Sequence, residues 1–340
     1  MSDLWRVRPA RSSDLPAILE LAQLTGGGFT NLPADADALA RRLAWSDASF
    51  ARTEDAPQDE LYLLLLEDVT SGRIGGTAML FSCIGATWPF YSYKLCTLTQ
   101  TSRELGRTFR IPFLSLTSDF DGASEVGGLF LHPDLRTGGL GRLLARARYL
   151  FIAQHRARFG DRVIAELRGV MDDDGNSPFW DALGRQFFGL SFPQADAFNA
   201  INGNQFIADL MPRHPIYTAM LPQAARDAIG QPHGGGRAAL AMLESEGFVY
   251  DNYVDIFDGG PTVAARTDDL KTIRTAQDAM VSALDGADGR QHLVASGRLA
   301  DFQAFIAALD QPEPGSARLP AAIAQAMGIT AGTRIRHAPC

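Results

Sequence analysis

The 340-residue chain predicts an α/β fold of the α+β kind, with a mixed, mostly antiparallel sheet flanked by helices. Three observations predict it. Two apolar runs, Leu61 to Glu67 and Ile74 to Cys83, are joined by Asp68-Val69-Thr70-Ser71-Gly72 and read as a hairpin. Segments with apolar residues at helical spacing, such as Leu15, Ile18, Leu19 and Ala22, stand between the strand-like runs. From Glu125 to Arg148, a strand, a glycine-rich turn and a helix follow one another directly.

In chain order, Trp5 to Arg8 reads as the first strand. Ser12-Ser13-Asp14 offers caps to the helix that follows, which stops at Thr25-Gly26-Gly27-Gly28, a loop that also suits the lining of a site. Ala36 to Trp45 predicts another helix. After the hairpin comes an aromatic, less periodic stretch from Trp88 to Thr99, then a strand over Arg110 to Leu116. Val126 to Leu131 is a short apolar run ended by His132-Pro133-Asp134, hence a buried strand. Leu140, Leu143, Leu144, Ala147 and Leu150 recur as one face of a helix.

Val163 to Arg168 predicts the next strand. Ser177 can cap a helix with Pro178 at its first position, and Phe179 to Gly184 followed by Phe187-Phe188 reads as helix then strand. Ala239 to Tyr253 repeats that piece, an echo that suggests a second, degenerate half. Asp258 to Thr262 is a strong turn. Beyond it, short strands and helices such as Phe302 to Leu309 and Leu319 to Met327 lead to an edge strand over Gly332 to His337. The expected organisation is 1–195, 196–262 and 263–340, with the last packing on the second.

Hydrophobic content of 46% and charged content of 21% are those of a globular protein with a sizeable core. A net charge of −8 argues against nucleic acid or an anionic membrane as the main partner. Cys83, Cys96 and Cys340 make neither a disulfide framework nor a metal-ligand spacing, so no metal is expected. There is no apolar run of about 18 residues and no signal layout, which predicts a cytoplasmic protein.

The turn Arg136-Thr137-Gly138-Gly139-Leu140-Gly141-Arg142 carries the sharpest chemistry. A strand–turn–helix junction aims unpaired N–H groups and the positive helix end at one point, which suits a phosphate or diphosphate. No Gly-Lys-Ser/Thr follows, and the spacing is not G-x-G-x-x-G. It is R-x-x-G-x-G, at Arg136, Gly139 and Gly141, and so resembles the coenzyme A motif of the GNAT acyltransferases. The element order resembles theirs too, and the second half lacks the motif, so one coenzyme site per chain is expected.

Acyl transfer from a thioester to an amine needs a proton acceptor, a reachable carbonyl and a donor for the oxyanion. Gly127-Gly128-Leu129 supplies backbone N–H groups. Its paired glycines suggest a bulge or close ligand approach, or else merely a flexible strand. Six histidines are present. His155 is expected to be solvated at the charged end of the long helix, His132 and His214 to be turn residues, and His292 and His337 to have no companion chemistry. His233 lies in Gly230-Gln231-Pro232-His233-Gly234-Gly235-Gly236, a loop able to present an imidazole at a cleft, although an ordinary surface histidine reads the same way. Glu125, Glu166, Asp209, Asp255 and Asp258 suit a guanidinium or ammonium, or else are solvated or structural acids. Glu125 is the best placed. Arg168 suits an acyl carboxylate.

Along most of its length the chain resembles the bacterial arginine N-succinyltransferases, a GNAT-related family. The resemblance is carried by Thr25 to Gly28 with Thr30 and Leu32-Pro33, by Ser124 to Asp134, by Arg168-Gly169-Val170, and by Ser177 to Trp180. Phe206 to Pro212, His214 to Tyr217, Gly247-Phe248 and Asn252 to Thr262 extend it. It implies succinyl transfer from succinyl-CoA, a co-substrate rather than a tightly bound cofactor, to the α-amino group of L-arginine. It also implies pairing as a homodimer or with a related subunit. The family's acid–base histidine falls on His233, and a position contacting succinyl-CoA falls on Leu129. Gly234-Gly235-Gly236 departs from the family's usual loop and leaves ornithine open as acceptor. The alternatives are another acyl-CoA or amine, or a non-catalytic subunit or sensor of the same fold.

Overall fold

The computed structural model describes residues 4–25, 31–136, 138–172, 174–202, 210–286 and 289–340. Among them, fifteen strands form one sheet. In chain order they are β1 (Trp5–Pro9), β2 (Leu61–Asp68), β3 (Ile74–Phe81), β4 (Ser92–Ser102), β5 (Arg107–Thr117), β6 (Ser124–Leu131), β7 (Arg162–Glu166), β8 (Ile216–Tyr217), β9 (Val249–Val254), β10 (Pro261–Arg266), β11 (Gln277–Ala283), β12 (Arg290–Ser296), β13 (Gln303–Leu309), β14 (Ser316–Arg318) and β15 (Arg334–Pro339). Their spatial order is β14-β11-β15-β12-β13-β1-β2-β3-β6-β7-β10-β9-β4-β5-β8. Only β6–β7 and β11–β14 pair in parallel. The sheet runs unbroken through all three expected segments.

Helices cover both faces. α1 (Leu15–Gln23) and α2 (Ala36–Ala51) lay Ile18, Leu21, Leu39 and Leu43 on Leu61, Leu63, Leu65, Met79 and Phe130. The long α3 (Leu140–Gln154) presses Leu143, Leu144, Ala147, Leu150 and Phe151 onto the other face, against Tyr62, Leu64, Leu66, Ala78 and Val126. Every residue of β2, LYLLLLED, is buried because both sides are covered. That is why its sequence is continuously apolar rather than alternating.

Several expectations are corrected. Ser12, Ser13 and Asp14 form a short 3₁₀ turn, and none caps α1 with its side chain. The Asp14 carboxylate instead takes the Arg8 guanidinium at 2.7 Å. The aromatic stretch after Trp88 becomes strand β4 from Ser92, paired with β5 along its whole length. Phe187-Phe188 lies in a second helix, Gly184–Phe188, not a strand, after the helix Pro178–Ala182 that Ser177 does cap. β15 is interior, between β11 and β12, rather than an edge. Gly26 to Gly28 and Thr30 lie outside the described residues.

One histidine is also corrected. His155 is buried, with Nδ1 on the Phe151 carbonyl and Nε2 accepting the Leu299 N–H, and burial pushes its imidazole down to about 4. His337 is buried too, 5.2 Å from the ring of His292, and burial pushes it down to about 4.

Candidate active site

β6 and β7 run parallel but pair only through Ser124↔Val163 and Glu125↔Ile164. Past these two pairs their ladder stops while β6 continues to Leu131, so the sheet opens. The opening is a cleft of about 1560 Å³ lined from β6, β7, α2, α3 and the helix Arg237–Glu246. Of the residues singled out in the sequence, Glu125, Leu129, Arg136, Gly139, Gly141, Arg142, Glu166, Arg168, His233, Asp255 and Asp258 all line this one cleft. Thr137 and Asp209 lie outside the described residues.

The β6 wall is shaped by a bulge. Gly128 has φ +54°, the register with β3 shifts between Thr77 and Met79, and the Thr77 hydroxyl holds the Gly128 carbonyl at 2.9 Å. A Cβ on Gly128 would lie 2.7 Å from the Met79 side chain, so only glycine fits. Leu129, the next residue, has no described strand partner on β7 and faces the cleft. The bulge reading of Gly127-Gly128 thus has a steric cause.

At the mouth, Gly138 (φ +76°) and Gly139 (φ +84°) turn the chain into α3, with Gly139 as its N-cap. Both positive φ values demand glycine. A Cβ on either would meet nothing within 4 Å, so the space above the turn is open. The first N–H groups of a helix have no partner within it, and the residues at that position here are Leu140 and Gly141. The Leu140 side chain itself packs on the core. Arg136 is exposed, its Nε donating to the Leu131 carbonyl at 3.3 Å and its guanidinium 5.8 Å from the Phe130 ring. Arg142 is exposed on the first turn of α3. A diphosphate finds amides, a helix end and two cations here.

The closed end of the split and its β7 side are acidic. Glu125 is buried, and the Asn31 amide donates to it at 3.4 Å. Burial pushes its carboxyl up to about 7, against the pull of Asn31 and the Arg42 charge. Glu166 shares its sheet face, two residues beyond Ile164, and the Thr262 hydroxyl reaches it at 3.5 Å. Burial, followed by the negative charges of Asp255, Glu125 and Asp258, raises it well above the carboxylate range. Asp255 and Asp258 are structural as well: Asp255 accepts the N–H groups of Phe257 and Asp258, and Asp258 those of Gly169 and Gly260.

His233 is pinned rather than loose. Its N–H donates to the Arg168 carbonyl at 2.7 Å, Pro232 bridges to Gly169, and the Gly230 N–H reaches the Gly259 carbonyl at 2.7 Å. Gly234 to Gly236 form a 3₁₀ turn whose Gly235 N–H donates to His233 Nδ1 at 3.1 Å. A backbone N–H only donates, so a neutral ring in this bond carries its proton on Nε2.

Against this geometry the comparisons are specific. A family model described as "Arginine N-succinyltransferase beta subunit" matches residues 5–272, and one for that subunit's C-terminal domain matches 277–339. The chain belongs to the arginine N-succinyltransferase beta subunit family. It is 41% identical over 334 residues to the arginine N-succinyltransferase subunit beta of Pseudomonas aeruginosa, covering 98% of this chain and 97% of that one. It is 40% identical over 336 residues to the arginine N-succinyltransferase of Escherichia coli K12 (strain DH10B), covering 97% and 96%. Among solved structures, the arginine/ornithine succinyltransferase subunit AI of Pseudomonas aeruginosa superposes with a TM-score of 0.90 at 36% identity over 99% of both chains. The GNAT-like mixed sheet flanked by helices is therefore the fold of this arginine N-succinyltransferase family member.

Sequence reasoning did not pick out several cleft residues of this family member. Asn31, Arg42 and Trp45 come from segments read only as loop or helix, and Trp88, Phe90 and Tyr91 from the aromatic stretch. Arg148 on α3 is buried in the cleft wall. The signal for it was present: Arg148 falls four residues after Leu144, in phase with the apolar stripe, where a cation is costly.

Proposed function

We propose that this chain transfers the succinyl group of succinyl-CoA to the α-amino group of L-arginine, giving N2-succinylarginine and CoA, the first step of arginine breakdown by succinylation. The observation that carries the reading is the split between β6 and β7, which has a diphosphate-ready helix end at its mouth and is lined by Glu125, Glu166 and His233. The CoA diphosphate lies over Gly138 to Arg142, and the thioester carbonyl reaches the N–H groups beside Leu129, where an oxyanion gains donors. Glu125 and Glu166 face the cationic acceptor, and Glu125 takes the proton of its ammonium. The amine nitrogen then bonds to the carbonyl carbon and the carbon–sulfur bond breaks; His233 passes its Nε2 proton to the departing thiolate as the second amine proton replaces it, so the ring ends neutral. Arg168 is an anchor for the α-carboxylate of the arginine acceptor. No covalent enzyme intermediate is needed.

Among the described residues no helix is long and apolar enough to cross a membrane, which suits a cytoplasmic enzyme. The "subunit beta" name of the Pseudomonas relative supports pairing with a second copy or a related subunit. The test is a matrix of donors (succinyl-CoA, acetyl-CoA) and acceptors (arginine, ornithine), with thiol release followed and product mass measured. Succinyl-CoA with arginine is expected to turn over fastest. Equal use of acetyl-CoA, or preference for ornithine, would replace the donor or acceptor assignment. No turnover with any pair would favour a non-catalytic subunit.

A further inference from the structure

The cleft wall holds a buried cation that the acyl-transfer steps do not use. Arg148, on the second turn from the C-terminal end of α3, is 2% exposed and lines the cleft. Its Nε donates to the Ala145 carbonyl at 3.1 Å, and one terminal nitrogen to the Gly127 carbonyl at 3.4 Å. No carboxylate of the described residues lies within 4 Å of it. Glu246, the carboxylate whose charge acts on it, is already taken by Arg146 and by the Thr272 N–H and hydroxyl, each at 2.9 Å. Burial lowers the proton affinity of the Arg148 guanidinium. A buried charge without a counter-ion is expensive.

The other arginines of the cleft stand differently. Arg41, Arg136 and Arg142 are exposed, Arg146 is paired with Glu246, and Arg42 feels the charge of Glu125. Arg168 is only half-buried and acts on the charge of Asp258, although its Nε is buried without a hydrogen-bond partner. Position also singles out Arg148. Its guanidinium touches the carbonyl of Gly127, two residues towards the closed end of the split from Leu129. That places it about 7 Å along the strand from the thioester site, at roughly 3.3 Å per residue. Three carbon–carbon bonds of about 1.5 Å carry the distal carboxylate of a succinyl group roughly 4 Å from the thioester carbon, and the planar guanidinium spans the rest.

We infer that Arg148 is the specificity determinant for the acyl donor: it receives the free carboxylate of a dicarboxylic acyl group at the closed end of the β6–β7 split. The inference rests on the succinyl-CoA reading above. A two-pronged contact between the buried Arg148 guanidinium and a carboxylate favours an acyl chain ending in carboxylate over one of the same length ending in methyl.

Butyryl-CoA is that methyl-ended chain, so the readout is the ratio of kcat/KM for succinyl-CoA to that for butyryl-CoA, with arginine as acceptor. Wild-type protein is expected to favour succinyl-CoA, and Arg148→Met to lose about a hundredfold of the ratio. Arg148→Lys keeps a charge but not the planar fork, and is expected to fall between; it serves if the methionine variant does not fold. Arg168→Met is expected to leave the ratio within about threefold. A ratio preserved in both Arg148 variants, or lost in Arg168→Met instead, overturns the assignment while leaving the enzyme a succinyltransferase. A wild-type protein that does not prefer succinyl-CoA overturns the donor reading and this inference together.

Discussion

His233 gains meaning from one hydrogen bond. Because the Gly235 N–H occupies Nδ1, the neutral ring presents a proton, not a lone pair, at Nε2, and Glu125 is left to receive the ammonium proton. Replacing His233 by alanine is expected to slow single-turnover succinylation by about 10²–10⁴-fold. A rate within about threefold of wild type would remove it from the chemistry. Glu125 makes a separate prediction through pH. Its carboxyl is pushed up to about 7, so the ionised form that faces a cationic acceptor is gained as pH rises through 7 and lost below it. The profile of kcat/KM for arginine should therefore fall on the acid side of about 7, and Glu125→Gln should lower activity and abolish that limb. An unchanged limb in the variant would assign it to another group. In the sequence, Glu125 and His233 were visible as residue types in suggestive places. The tautomer and the raised carboxyl were not, because the turn that puts the Gly235 N–H on Nδ1 and the burial that raises Glu125 exist only in the folded chain. For Arg148 the phase with the apolar stripe was legible, but its contact with the Gly127 carbonyl was not.

The strand–turn–helix unit was the most legible element, since its apolar run, glycines and helical stripe are all local signals. Its glycines nevertheless do different work. Gly139 is held at φ +84°, so Gly139→Val should cost about 1–3 kcal/mol of stability in urea unfolding and weaken CoA binding as well. Gly141 lies inside α3, and a Cβ there would sit at an ordinary 3.7 Å from Leu131. Gly141→Ala should leave stability equal or slightly higher, alanine being the better helix former, while CoA affinity measured by calorimetry falls about tenfold or more. Equal losses of stability in the two variants would contradict this division. Elements set by remote pairing were harder to read. β4 lacks a clean alternation because its inner end pairs with both β5 and β9, whereas its outer half is an exposed hairpin arm. Phe187-Phe188 looked like a strand because aromatic residues suit strands, but stacking of Phe188 on Trp180 at 5.4 Å holds it in a helix.

At the scale of the whole molecule, one sheet carries everything. β1 joins the two ends of the chain by pairing with β2 on one side and with β13 on the other, Val7 opposite Ala304. The sequence showed the strands on either side of this seam but not the seam itself, because pairing partners some 300 residues apart leave no local pattern. The same holds for the interior placement of β15, whose polar composition, with Arg334, Arg336 and His337, reads as an edge. Arg334 and Arg336 are satisfied by Asp278 of the neighbouring β11, at 2.6 and 2.8 Å. β6 and β7 part after two pairs, and the account of function depends on what enters the split between them. A crystal structure of the protein with CoA bound tests it most directly. The account predicts the diphosphate against the amides between Gly138 and Arg142, with the sulfur inside the split near Leu129. A coenzyme lying anywhere else on the molecule would contradict it.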